Sequence, residues 1–273
     1  MTGAAIKGVE FSTRADAGLA DRCFVRNCGC MCNLYSVTKG QAAIAELTKA
    51  MRDKAGNLPP QPSIFPDYTA PVVRTGSDGV RELVTMRWGM PSSQKALFDA
   101  AKARAQKLEA KGQSVDFDAL LRREPDGGTT NIRNVRSQHW QRWLGIDHRC
   151  VVPFTSFSEF NKAYGGDVWF ALDDSRPLAV FAGLWTRWTS VRKIKEGETT
   201  NDLFGFLTTD ANAVVAPVHS KAMPVILTTP AEIDMWLTAP PEQALKLQRP
   251  LPATMLKIVA TGSKQDPAEL AVR

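Results

Sequence analysis

Cys150-Val151-Val152-Pro153, Phe157-Ser158-Glu159-Phe160, Val168-Trp169-Phe170-Ala171 and Leu178-Ala179-Val180-Phe181-Ala182-Gly183-Leu184-Trp185 follow one another as short apolar runs. They are rich in β-branched and aromatic side chains, which suit a pleated, half-buried surface. Turn signals at Gly165-Gly166-Asp167 and Asp173-Asp174-Ser175 separate several of them, as in antiparallel sheet. Phe204–Thr208 adds a further strand, and Met223-Pro224-Val225-Ile226-Leu227 another apolar run.

Upstream, Val72-Val73-Arg74 and Glu82–Trp88 flank the turn Gly76-Ser77-Asp78-Gly79 and read as a hairpin that ends at Trp88-Gly89-Met90-Pro91. Helical spacing of Ala43, Ile44, Leu47 and Met51 predicts a helix over 41–51, and Ala231–Leu237 predicts a late one. Residues 94–124 read as polar helix or a mobile insertion, interrupted at Gly112. A further helix carries His139, Trp140, Trp143 and Leu144; Trp140, Trp143 and Trp236 are expected in the core. Short strands with a few helices give an α+β class: a single domain on a curled, mostly antiparallel, barrel-like sheet with flanking helices. Residues 1–30 show neither periodicity and are expected to be a flexible extension outside the mature protein, 31–240 the domain, and 241–273 a Pro-punctuated tail.

The chain has 273 residues, 44% of them hydrophobic and 23% charged, the balance of an ordinary soluble globular protein. No run approaches the roughly 18 apolar residues of a membrane span, and residues 1–30 lack a signal-peptide core. Five cysteines, an odd count, without a secretory leader point to reduced thiols and a cytoplasmic setting. Cys23, Cys28, Cys30 and Cys32 do not form paired zinc knuckles and have no neighbouring His, so no metal and no cofactor is expected. A net charge of +6 suits a polyanionic partner.

Met31-Cys32-Asn33-Leu34-Tyr35-Ser36 offers different chemistry. Were Met31 the start and then removed, Cys32 would carry an α-amine and a thiol, with ordinary pKa values near ~8 and ~8.5. Such a residue can take an aldehyde as a Schiff base and close it into a thiazolidine. An internal cysteine cannot, and its bland alternative is a small buried side chain.

Met31-Cys32, Asn134-Val135-Arg136-Ser137, Ser156-Phe157-Ser158-Glu159-Phe160 and Val218-His219-Ser220-Lys221-Ala222-Met223-Pro224-Val225-Ile226-Leu227 together resemble the signature segments of the SOS-response-associated peptidase (SRAP) family. Trp88-Gly89 and Phe181-Ala182-Gly183-Leu184-Trp185 are similar to further family segments. The resemblance implies a monomeric protein that binds single-stranded DNA and captures abasic sites, with Cys32, Asn134, Glu159 and His219 in one pocket. Cys32 would be the nucleophile, Glu159 the acid and base, His219 a proton donor or acceptor, and Asn134 a holder of the amine or a sugar oxygen. DNA contacts would come from Arg133, Arg136, Lys221 and Pro66, with Trp88 stacking on a base. Two other readings are a cysteine-dependent peptidase, which could cut before Cys32, and a non-catalytic single-stranded DNA-binding module. Asn33-Leu34 stands where the family has Gly-Arg, which removes one expected phosphate contact.

Overall fold

The computed structural model describes residues 33–267. The expected extension, Met31 and Cys32 lie outside the described residues. In chain order the first strands are β1 (Leu34–Val37), β2 (Arg52–Asp53), β3 (Gln61–Ile64), β4 (Thr69–Thr75), β5 (Arg81–Trp88), β6 (Asn131–Ile132) and β7 (Arg149–Phe154). They are followed by β8 (Ser156–Asn161), β9 (Gly166–Ala171), β10 (Ala179–Val191), β11 (Glu198–Thr209), β12 (Met223–Pro224), β13 (Ile226–Leu227) and β14 (Lys257–Thr261). The helices are α1 (Gln41–Thr48), α2 (Gln94–Glu109), α3 (Phe117–Arg122), α4 (Gln138–Gln141), α5 (Pro230–Thr238) and α6 (Pro241–Ala244).

Strands β11, β10, β7, β4 and β5 are neighbours in that order, and β11 also pairs β5 in parallel through Leu203↔Arg87 and Phe204↔Trp88. The ring therefore closes into a barrel, which removes the exposed edges an open sheet would leave. A second sheet runs β14-β9-β8-β1-β3. The chain passes from barrel to second sheet across Thr155, between β7 and β8. Inside lie Tyr35, Trp88, Phe154, Phe157, Phe181, Phe204 and Phe206, each fully buried. The Phe154 and Phe181 rings stack at 3.9 Å.

The expected α+β class and barrel-like sheet are what the chain forms, and the expected hairpin is β4–β5. Trp140, Trp143 and Trp236 are buried as expected. Differences lie where local chemistry overrides pattern. The first helix stops at Thr48 because Lys49 turns left-handed (φ 54°), and the chain re-enters the sheet as β2. The helix expected around Trp140–Leu144 is only the short α4. The insertion is a helical pair, α2 capped by the Ser93 side chain and α3 by Asp116, joined through Gly112 at φ 75°. Residues 241–267 do not trail from the domain: Ala244, Leu247, Leu251 and Leu256 join the core, and β14 completes the second sheet beside β9. Among the described residues, no helix is long and apolar enough to cross a membrane.

The β10–β11 hairpin folds back over the end of β5. At its tip Arg192 is buried, gives Nε and Nη2 to Asp67 Oδ1 at 3.2 and 3.0 Å, and gives Nη1 to Gly89 O at 3.1 Å. Gly89 (φ 132°) and Gly128 (φ 77°) line this guanidinium, and a Cβ on either would fall 2.6 Å from it. Glycine is therefore required after Trp88 for space as well as for backbone conformation. Asp67 also accepts from Arg87 and contacts Lys193 at 2.8 Å. Burial alone would raise its pKa, but hydrogen bonds and charge from Arg87, Lys193 and Arg192 outweigh burial and hold the carboxyl well below the usual range.

A depressed folded pKa means that this stability is present above the unfolded aspartate value, about 3.9, and is lost as pH falls below it. Asp67→Asn is expected to cost about 2–3 kcal/mol near neutral pH, because it leaves Arg192 buried with a weakened partner. Denaturant unfolding measured from neutral to acid pH should show the gap between variant and wild type closing below about pH 4.

Candidate functional site

Glu159 occupies the core-facing side of β8 together with Phe157, while Ser156 and Ser158 turn away to Asp266 and to Asp167 (3.1 Å). Strand alternation thus carries a carboxylate to the mouth of an aromatic core, where it is 3% exposed. The next residue, Phe160, is 53% exposed.

The register between β1 and β8 is Leu34↔Ser158, Tyr35↔Phe157 and Ser36↔Ser156. One step further along the same register, Asn33 stands at the level of Glu159. Asn33 is the residue to which Cys32 is bonded. Its Oδ1 accepts from Thr130 Oγ1 at 3.1 Å, and that hydroxyl accepts from Asn131 Nδ2 at 2.9 Å. Thr130 is itself fixed from behind, its carbonyl accepting from Trp88 Nε1 (3.3 Å) and from the Phe206 amide (3.2 Å). Asn131 begins β6, which pairs in parallel with β11 through Asn131↔Phe206 and Ile132↔Leu207.

The other side of the mouth is the loop before β12. Asn161, at the end of β8, donates Nδ2 to Val218 O at 2.8 Å and so clips that loop to the strand that bears Glu159. His219 follows, half-buried, with its Nδ1 3.0 Å from the Ala222 carbonyl oxygen. A carbonyl only accepts, so Nδ1 donates to it, and Nε2 is the acceptor in the corresponding neutral tautomer.

Of the expected site residues, Glu159 lies on β8 and His219 on the loop whose Val218 is hydrogen-bonded to Asn161 of the same strand. Cys32 is outside the described residues. Asn134 is exposed, and its Oδ1 accepts the Arg136 amide (3.2 Å) in a turn of its own. Asn131, three residues earlier, is buried at 5% exposure and is hydrogen-bonded toward Asn33. The chain contains Asn-apolar-Arg twice in succession, as Asn131-Ile132-Arg133 and Asn134-Val135-Arg136. Only the second copy is followed by Ser (Ser137), and only the first has a buried Asn.

Trp88 is not available for a base. It is fully buried, stacked on Phe206 at 5.2 Å and edge-on to Tyr35 at 5.1 Å, because the closing pair of the barrel turns it inward. Arg133 is paired with Asp210, Arg136 and Lys221 are exposed, and Pro66 is half-buried beside the exposed Tyr68. Cys150 is no second nucleophile: complete burial pushes its thiol far above the usual range. Among the described residues, no group of three or more His, Cys, Asp or Glu side chains is placed to hold a metal ion.

Solved structures share the fold. A protein from Bordetella bronchiseptica is 22% identical with a TM-score of 0.56, the match covering 84% of this chain and all of that one. One from Bacteroides thetaiotaomicron is 17% identical (TM-score 0.57, 83% and 90% covered), and a phage-related protein from Bordetella bronchiseptica is 18% identical (0.55, 83% and 92%). No curated protein matches the chain. The profile of the family described as SOS response associated peptidase (SRAP) matches residues 128–264, half of the chain, and spans β6, β8 and the His219 loop. The chain therefore belongs to the SRAP family.

Proposed function

We propose that this protein binds single-stranded DNA and captures abasic sites covalently through Cys32, once that residue is the amino terminus. The observation that carries the reading is the buried Glu159 at the level of Asn33, the residue next to Cys32 in the chain. An abasic deoxyribose opens to an aldehyde. The α-amine attacks its carbonyl carbon, and one amine proton passes through the Glu159 carboxylate to the carbonyl oxygen, giving the carbinolamine. The second amine proton follows the same route as the hydroxyl leaves as water, giving an imine. The thiol adds across the C=N bond, its proton passing to nitrogen, and the thiazolidine ring closes with a net loss of one water.

His219, with its Nε2 acceptor, assists opening of the sugar ring by taking the hydroxyl proton. The holding role expected of Asn134 passes to Asn131, whose hydrogen-bond chain through Thr130 ends on Asn33. Exposed Phe160 takes the stacking role expected of Trp88. Arg136 and Lys221 supply phosphate contacts. Residues that precede Cys32 block its amine, and self-cleavage before Cys32 is the peptidase activity that fits both the family description and this requirement.

With a chain that begins at Cys32, Glu159→Gln is expected to slow adduct formation about a hundredfold, since the amide cannot shuttle a proton. Single-turnover gels with an abasic oligonucleotide measure this, and an unchanged rate would take Glu159 out of the chemistry. The tandem motif gives a sharper comparison. Asn131→Ala should slow capture by about tenfold or more at saturating DNA, the loss of a positioning hydrogen bond. Asn134→Ala should leave that rate unchanged, and the reverse outcome would restore the second copy to the site.

A further inference from the structure

The long β10–β11 hairpin carries an aromatic and cationic cluster that the capture site does not use. Trp188, on β10, is 37% exposed. It meets the buried Trp143 edge-on at 6.2 Å, and the Arg142 guanidinium lies 4.3 Å from the Trp143 ring centre and 5.9 Å from that of Trp188. Arg142 is exposed and is oriented by His139, donating Nε to its carbonyl (3.1 Å) and Nη2 to its Nδ1 (2.9 Å). The imidazole can accept because its other nitrogen donates to Pro91 O at 2.9 Å. The guanidinium is thus held in place without a carboxylate among the described residues to neutralise it.

The cluster is continuous with the site. Residues 131–143 leave Asn131 beside Phe206 on β11 and arrive at Trp143, which packs on Trp188 opposite Asn201 of the same strand. From Phe206 to Asn201 is about 17 Å at a strand rise of about 3.4 Å per residue. That is about five nucleotides at the roughly 3.4 Å rise of a stacked strand. Arg136 lies on the intervening segment, and its carbonyl accepts from Gln141 Nε2 (3.2 Å), one residue before Arg142. An exposed tryptophan with a fixed cation suits a base face and a phosphate together, and a net charge of +6 suits a polyanion.

We propose that Trp188 and Arg142 form a second contact for single-stranded nucleic acid, on which a base about five nucleotides from the captured sugar stacks while Arg142 meets its phosphate. This rests on the function proposed above. The test uses oligonucleotides carrying a stable, non-reactive abasic analogue with single-stranded tails from none to about ten nucleotides on either side. Trp188→Ala and Arg142→Gln are each expected to weaken binding about tenfold when one tail is long enough to reach the hairpin, and not at all without tails. Trp188→Phe should restore most of the affinity, and the rate of capture at saturating abasic DNA should stay unchanged. Arg142→Gln leaves the Trp143–Trp188 packing in place and answers the question should Trp188→Ala fail to fold. Wild-type affinity in the variants at every tail length would overturn this contact alone. Failure of the wild type to bind any tailed strand would overturn the function reading with it.

Discussion

The Tyr35 ring holds the arrangement together. It is fully buried and meets Trp88, Phe181 and Phe206 edge-on at 5.1, 5.8 and 6.1 Å, so it touches β5, β10 and β11 from a strand that belongs to the other sheet. Edge-to-face pairs contribute about 0.5–1.5 kcal/mol each beyond burial. More important is what they forbid. A slip of β1 by one residue would turn Tyr35 outward and its neighbours inward, so this ring fixes the pairing of β1 with β8. That pairing in turn sets Asn33 at the level of Glu159.

A second constraint holds the loop that leads into Thr130 and Asn131. The Asp67–Arg192 pair pins the hairpin tip under Gly89 and Gly128, and the Asp126 amide donates to Val191 O at 2.8 Å. The loop that leads into Thr130 and Asn131 is therefore anchored at its start by the hairpin and at its end by Trp88 and Phe206. Both are built on strands and buried polar contacts, which would suit the proposed capture, where an amine and an aldehyde are held in register. Phe160, Arg136 and Lys221 are exposed.

Much of this was legible in the sequence, because apolar runs separated by turn residues mark the strands that form the barrel, and Glu159 and His219 sit in segments with recognisable neighbours. What pattern could not give has physical causes. The outer halves of β10 and β11 are polar ribbon, Thr186–Val191 facing Glu198–Leu203, so hydrophobicity stops short of where the strands end. Trp88 reads equally well as a surface stacker or as core, and only the parallel pairing of β5 with β11 turns it inward. The tandem Asn-apolar-Arg repeat holds one buried and one exposed asparagine, a difference set by tertiary packing. β14 hides in a Pro-punctuated segment, and its place beside β9 depends on contacts far away in the chain.

The most direct test of the central claim is the intact mass of the protein, beginning at Cys32, before and after incubation with a single-stranded oligonucleotide that carries one abasic site. The account predicts a species heavier by the oligonucleotide less one water, absent when Cys32 is replaced by Ala. An unmodified mass for the chain beginning at Cys32, or an adduct that survives Cys32→Ala, would contradict it.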